Sequence, residues 1–491
     1  MTLEEFKKLA EQYNLIPVYK IITADMLTPV LAYLKLRDKS TSSFLLESVE
    51  GSVNMARFSF IAKNPELLVM NKKEKLSVFK KDKKIETNKN IFQFIREELK
   101  KYKQPNLPGI PDFAGGMAGF IGYENIALIE KTMQMDSKGI GNYDSILGLF
   151  KTILAFDHYK HQVIVISNVF TEDYEDLNLA YETAINNIKK IIIELNKTIT
   201  HTSDFKVIGE TEVSVTDEEF YKYVEQSKNH ITEGDIFQIV LSKRFAAKYK
   251  GDTYNVYRAL RTINPSPYMY YFEFENDFSI MGTSPENLIK IKNRRAQLLP
   301  IAGTRGRGKT EEEDIKLEDN LLKDEKELAE HTMLVDLGRN DLGRVCKYGT
   351  VEVIEHMKVQ RYSHVMHIVS KVEGQLMDDK DVIDALEACF PAGTVTGAPK
   401  IRAMQLIEEF EKLERNVYAG AVGYFDFSGN MDMCIAIRTL FAKGDKIYWQ
   451  AGAGLVADSK PELETKEIKN KAAVMEKSLK FAEVIDENFS N

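Results

Sequence analysis

QAGAGLVADSKPELETKEIKNKA, residues 450–472, runs from a glycine-rich segment into an acidic helix. Gly452 and Gly454 let the chain approach a ligand with no Cβ in the way. Glu464, Glu467 and Lys471 then fall at i, i+3 and i+7, on one helix face. Upstream, DEKELAEHTMLVDLGRNDLGR (324–344) sets Glu327 and Glu330 three apart on another helix, with Met333, Leu334 and Leu337 as its buried stripe. Between them, FPAGTVTGAPKIRAMQLI (390–407) places Gly393, Thr394, Thr396 and Gly397 before Pro399, which fits the first turn of a helix. Such an N-terminus, with free amides and hydroxyls, holds anions. From spacing alone the acidic helices read as solvated charged faces, and the threonine-rich segment equally as an ordinary loop. The glycines directly before the second helix shift that balance toward a site. One glutamate from each helix suffices for Mg²⁺, which leaves its other positions to water and substrate. Together these stretches describe an enzyme site for a carboxylated substrate bridged by Mg²⁺.

The chain of 491 residues is long enough for two or three domains, or for one large two-part domain. A net charge of −8 leaves no electrostatic footprint for nucleic acid. No apolar run reaches the length needed to span a bilayer. The opening MTLEEFKKLAEQY is a charged amphipathic helix, unlike a signal peptide. Three cysteines without paired spacing (Cys346, Cys389 and Cys434) argue against a disulfide framework and for the cytoplasm.

Strands are predicted at VYKII, SFLLESVE and ARFSFIA, and a lysine-rich exposed hairpin over 66–88. A helix follows over 91–101, a glycine-rich strand or bend at GGMAGFIGYE (115–124), a hairpin turning at 157–161, and an amphipathic helix over 170–197. The polar stretch 198–215 is the linker candidate between an N-terminal region, 1–197, and a second region, 216–491. Thr216 opens the second region with Glu219 three residues on, a capping box.

Isolated residues carry weaker signals. Glu286, ending GTSPE, is either a strand-end turn or a general acid raised by desolvation. Arg305 and Arg307 in PIAGTRGRG (300–308) are candidates to meet carboxylates. His364 and His367 in YSHVMHIVS lack the further ligands that zinc requires, leaving a proton-transfer group or a core histidine.

In order, LLESVE, INPSPYMYYFE, GTSPE, PIAGTRGRG, the 324–344 helix, YSHVMHIVS, AGTVTGAPK, YAGAVGY, CIAIRT, QAGAG and ETKEIKNKA span nearly the whole chain. This set resembles the chorismate-utilising enzymes, most closely the anthranilate synthase component I family. The resemblance implies an α+β, two-lobed α/β/β/α sandwich of two packed, largely antiparallel sheets with helices outside. It implies chorismate in the cleft, with Mg²⁺ bridging its ring carboxylate to Glu330 and Glu467. Gly303, Thr304, Tyr418, Arg438, Gly452, Ala453 and Gly454 are expected to contact chorismate, with Thr394 and Lys471 in support. Glu286 matches the general acid for the departing hydroxyl, and His367 the histidine associated with pyruvate elimination.

Two positions discriminate within the resemblance. Related isochorismate and salicylate synthases carry a water-activating lysine where this chain has Gln238. Aminodeoxychorismate synthases typically carry a nucleophilic lysine where it has Ala302. Glutamine and alanine favour direct addition of ammonia and formation of anthranilate through aminodeoxyisochorismate; arrest at that intermediate and aminodeoxychorismate formation are the alternatives. The resemblance also implies tryptophan feedback at Glu47, Ser48, Asn264, Pro267, Tyr268 and Met269. It further implies a separate glutamine amidotransferase subunit in a two-plus-two heterotetramer, because no cysteine here sits in a glycine-rich nucleophile turn.

Overall fold

The computed structural model describes residues 1–48, 57–80, 83–198, 204–275, 277–361 and 365–486. Its strands form two twelve-stranded sheets joined through antiparallel pairs. Five strands of each sheet come from residues 1–197 and the other seven from the rest of the chain. Continuity across the halves rests on two seams. Ser43–Glu47 pairs with Tyr268–Phe274 in the first sheet, with Glu47 opposite Met269. Ala421–Asp426 pairs with Gly116–Ile121 in the second, with Gly423 opposite Gly119. The expected two-layer sandwich is therefore present, and neither sheet is confined to one region.

Aromatic side chains fill the space between the sheets. Phe44 of the first meets Phe150 of the second edge-on at 4.8 Å, and Phe113 stacks on Tyr424 at 4.1 Å. Such pairs contribute about 1 kcal/mol each beyond their area burial. Helices cover the outer faces, as amphipathic elements must. Leu177–Leu195, Tyr254–Ile263, Lys400–Glu411 and Pro461–Ala482 bury apolar residues against the first sheet. Ile91–Lys100 and Val382–Cys389 do so against the second. No described helix is long and apolar enough to cross a membrane.

Local expectations hold where the signal is chemical. Thr216 caps Asp217–Thr232 through both bonds of the capping box with Glu219. The turn after Asp157 joins Thr152–Asp157 to Gln162–Phe170. Its neighbour Ser145–Phe150 belongs to the other sheet, so the chain crosses between layers at Lys151. The stretch read as a linker differs from expectation. Phe205–Val213 within it is an edge strand paired with Gln238–Gly251. Almost every side chain after Phe205 on that strand faces water, which gives it a linker's composition. Residues 199–203 of that stretch, 49–56 around the end of SFLLESVE, and 362–364 with His364 lie outside the described residues.

Candidate active site

The C-terminal half holds a cleft of about 680 Å³. Its walls come from Ile301–Gly306, the helices Glu325–Gly343 and Pro461–Ala482, and the loop 264–267. Glu286, Ala302, Gly303, Thr304, Glu330, His367, Arg438, Glu467 and Lys471 all line it. A smaller inner cavity of about 150 Å³ adjoins it through Glu286, Arg438 and Lys471, and is lined also by Thr394, Tyr418, Gly452 and Gly454. Residues separated by nearly two hundred positions thus converge.

The strand Lys446–Leu455 explains the glycines. Its alternation turns Gly452 and Gly454 to the inner cavity. A Cβ at Gly452 would lie 2.6 Å from the Tyr418 hydroxyl, and one at Gly454 2.7 Å from Gln238 Nε2. Gln238 thus packs against Gly454 but lines neither the inner cavity nor the large cleft. Ala453 is placed differently from its neighbours. Its side chain faces the opposite side, in the core beneath the outer helices.

Electrostatics fit distinct roles. Desolvation raises the Glu286 carboxyl to about 7, against smaller lowering influences from Thr394 and Lys471. The Thr394 hydroxyl is close enough to influence Glu286, yet its Oγ1 is buried with no partner in hydrogen-bonding geometry. Thr394 acts on Glu286 as a hydrogen-bonding neighbour, through a contact looser than strict hydrogen-bond geometry, so the hydroxyl can also turn to a ligand. His367 Nδ1 lies 2.9 Å from the Gly303 carbonyl and 3.1 Å from Thr304 Oγ1. A carbonyl accepts only, so Nδ1 carries the proton and Nε2 is the basic nitrogen. Burial lowers the His367 pKa, favouring the neutral ring. Tyr418 is pushed up to about 12 by burial, so it stays a phenol donor.

Arg438 adopts φ +50°, a left-handed conformation unusual for a non-glycine residue. Burial lowers its pKa from the ordinary value, and among the described residues no carboxylate pairs with it in a salt bridge. A desolvated guanidinium facing a cleft is suited to an arriving carboxylate, which would offset its desolvation. Lys471 bridges to Glu467 at 2.7 Å and donates to the Gly452 carbonyl at 3.0 Å, tying the second acidic helix to the glycine strand.

The acidic helices approach each other across the cleft. The Glu330 pKa is raised by desolvation first, then by the nearby charges of Glu327 and Glu467. Glu464 is likewise raised by desolvation and by Glu467. Carboxylates held together in a partly dry cleft suit a hard divalent cation, whose charge would relieve their repulsion. Glu327 is less available, because Arg305 pairs with it at 3.1 Å.

A third cavity, about 120 Å³, lies between the two sheets. Glu47, Ser48, Pro267, Tyr268 and Met269 line it from the seam of the first sheet. Lys290, Tyr424 and Asp432 line it from the second, unforeseen from sequence because strand pairing brings them there. Pro267 also lines the large cleft. Asn264 lines the cleft alone, its amide donating to Thr283 Oγ1 at 2.9 Å. Glu47 is buried and accepts from Arg261 Nε at 2.9 Å and from the Tyr257 hydroxyl.

The model of the chorismate binding enzyme family matches residues 42–477. The chain belongs to the chorismate binding enzyme family. Within that family it is 44% identical to anthranilate synthase component 1 of Acetivibrio thermocellus over 490 residues, covering 98% of each chain. It is 43% identical to that of Aquifex aeolicus, again covering 98% of each. The solved anthranilate synthase component I from Streptococcus pneumoniae TIGR4 superposes with a TM-score of 0.77 at 37% identity, over 92% of this chain and 98% of that one. MenF, the menaquinone-specific isochorismate synthase from Escherichia coli, shares the fold with a TM-score of 0.72 at 18% identity, over 97% of this chain and 98% of that one. Family membership agrees with the sheet architecture.

Proposed function

We infer that this chain is the large subunit of an anthranilate synthase, converting chorismate and ammonia to anthranilate, pyruvate and water. The observation that carries this reading is the company of Glu286. A carboxyl raised to about 7 shares a cleft with Arg438, His367 and two acidic helices, while Gln238 and Ala302 stand where sibling enzymes carry lysines.

Arg438 and Tyr418 bind a substrate carboxylate, with the Gly452–Gly454 backbone close against the ligand. Glu330 and Glu467 would hold Mg²⁺, which would supply positive charge against the ring carboxylate. Glu286 delivers its proton to the departing ring hydroxyl, which leaves as water. Ammonia, already nucleophilic as its free base, adds at the carbon beside the ring carboxylate on the side of Gln238. That amide has no basicity with which to activate water. His367, fixed through Nδ1, presents Nε2 for the second stage, in which the side chain leaves as pyruvate and the ring becomes aromatic. Ala302 supplies no amine to compete with ammonia.

The same reading assigns the inter-sheet cavity to tryptophan as a feedback inhibitor, in the cytoplasm. Its apolar walls suit an indole, and Asp432 and Lys290 offer opposite charges to an amino acid. Ammonia comes from glutamine through a partner amidotransferase in a two-plus-two assembly. Incubation of the purified chain with chorismate, Mg²⁺ and an ammonium salt, with and without tryptophan, tests the scheme by product chromatography. Anthranilate plus pyruvate, suppressed by tryptophan, is the expected result. Accumulation of aminodeoxyisochorismate, aminodeoxychorismate or isochorismate overturns the reading of His367, Ala302 or Gln238 respectively.

A further inference from the structure

Arg415 is 1% exposed, yet it carries a charge into the wall behind the inner cavity. Its Nε donates to Glu411 Oε2 at 2.9 Å and its Nη2 to Glu411 Oε1 at 2.6 Å, a bidentate fork. Two further donors go to backbone. Nη1 meets the Val395 carbonyl at 2.7 Å and Nη2 the Val240 carbonyl at 2.7 Å. The guanidinium also lies 4.8 Å from the ring centre of Tyr123 and 5.5 Å from that of Tyr418. Val240, Val395 and Tyr418 all line the inner cavity.

Glu411 extends the connection. Its Oε1 accepts from the Ser242 amide at 2.8 Å and the Ser242 hydroxyl at 2.7 Å. An ionised carboxylate only accepts, so the Ser242 proton is committed to Glu411, and Ser242 Oγ must accept from Gln450 Nε2 at 2.7 Å. That fixes the Gln450 amide, leaving Oε1 buried and unpartnered on the residue that continues the Gly452–Gly454 face of the cavity. A buried ion pair is often no more stabilising than an apolar pair of similar volume. An apolar pair could not hold two carbonyls from separate segments, nor orient Gln450.

We propose that Arg415, clamped by Glu411, is a positioning residue that sets the inner wall of the catalytic cavity. It fixes the strand that begins at Gln238, the loop that carries Thr394, and the ring of Tyr418, without touching substrate. The proposal rests on the reaction assigned above, but its test does not depend on that reaction alone.

The test compares Arg415→Lys with the parent chain in kcat/KM for chorismate, in chorismate affinity by equilibrium titration with Mg²⁺ and no ammonia, and in tryptophan affinity. Lysine keeps the charge but cannot form the fork together with both carbonyl bonds. The expected result is a folded variant with kcat/KM reduced about 100-fold and chorismate binding weakened about tenfold, since ångström-scale misplacement costs that much. Tryptophan affinity should stay within about twofold, because the inter-sheet cavity contains none of the tethered residues. A folded variant within about threefold of the parent in kcat/KM and chorismate affinity overturns the proposal. If Arg415→Lys does not fold, Glu411→Gln decides by the same measurements, a parent-like result again overturning it. If the parent chain makes no anthranilate, the reaction reading fails, while the chorismate titration still decides the role of Arg415.

Discussion

Asn287 Nδ2 donates to the Tyr268 hydroxyl at 2.8 Å, so a residue lining the inter-sheet cavity is held by the residue that adjoins Glu286. Tyr268 in turn donates to Asp432 Oδ1 at 3.0 Å. A ligand that displaces Tyr268 disturbs Asn287, the residue next to Glu286. Inhibition follows if tryptophan binds better to the displaced arrangement than to the active one. Tyr268→Phe removes both bonds and keeps the ring. It should leave the uninhibited rate within about threefold and weaken tryptophan inhibition about tenfold, a coupling of ordinary allosteric size. Inhibition curves that superimpose on those of the parent would refute this connection.

Ser48 lines the same cavity, opposite the second sheet and beside buried Glu47. Ser48→Phe adds an aromatic ring to a space of about 120 Å³. Tryptophan should lose its place while the cleft stays intact, with inhibition relieved at least about tenfold and the uninhibited rate little changed. Dose–response curves for anthranilate formation measure this directly, and full retention of inhibition would remove the cavity from the feedback reading.

The carboxylate pair leads to a separable loss. Glu330 and Glu467 line the large cleft, and neither lines the inter-sheet cavity. Glu330→Gln keeps the side-chain shape and removes the charge a divalent cation needs. Mg²⁺-dependent turnover should fall by about 100-fold or more, and tryptophan affinity by titration should be unchanged. Activity at the parent level across a Mg²⁺ series would end the metal assignment.

How legible these features were in the sequence depended on their physical origin. Glu330, His367, Arg438 and Gly452 lie in compact motifs with unusual residue types, so they could be picked out before their convergence was visible. Gly452 and Gly454 share one face of the strand, whereas the resemblance names Ala453 beside them although its side chain belongs to the core on the other face. Lys290 and Asp432 gave no local signal, because pairing between distant strands creates their proximity. Phe205–Val213 read as a linker since an edge strand has one solvated side and few apolar contacts. Arg415 was missed for a related reason. A charged residue in LERNVYAG looks like surface, and its burial is evident only once Glu411 and the carbonyls of Val240 and Val395 surround it.

Glu286 predicts a pH profile with a definite sign. As a general acid it must carry its proton, and its carboxyl is raised to about 7 by desolvation. The protonated fraction therefore falls as pH rises through 7. With rates expressed per free ammonia, to remove the opposing gain in nucleophile, activity should decline above about pH 7 with a slope approaching one decade per unit. Glu286→Gln should abolish that dependence along with most of the rate. A parent profile rising or flat through pH 8 on the same scale would exclude Glu286 as the proton donor.

In the proposed reaction the choice of nucleophile rests on Gln238, whose Nε2 packs against Gly454. An amide cannot take a proton from water, whereas a desolvated lysine amine can, since burial lowers a lysine pKa toward neutrality. Gln238→Lys should therefore yield isochorismate from chorismate and Mg²⁺ in the absence of ammonium. In ammonium buffer it should divert part of the flux from anthranilate to the hydroxylated product. The replacement is longer than glutamine and meets a glycine, where space for it exists only because no Cβ is present at Gly454. Chromatography of ammonium-free incubations reads the outcome. A folded variant that binds chorismate but forms no isochorismate would show that Gln238 does not select ammonia over water, and would move that selection to the geometry around Thr394 and Tyr418.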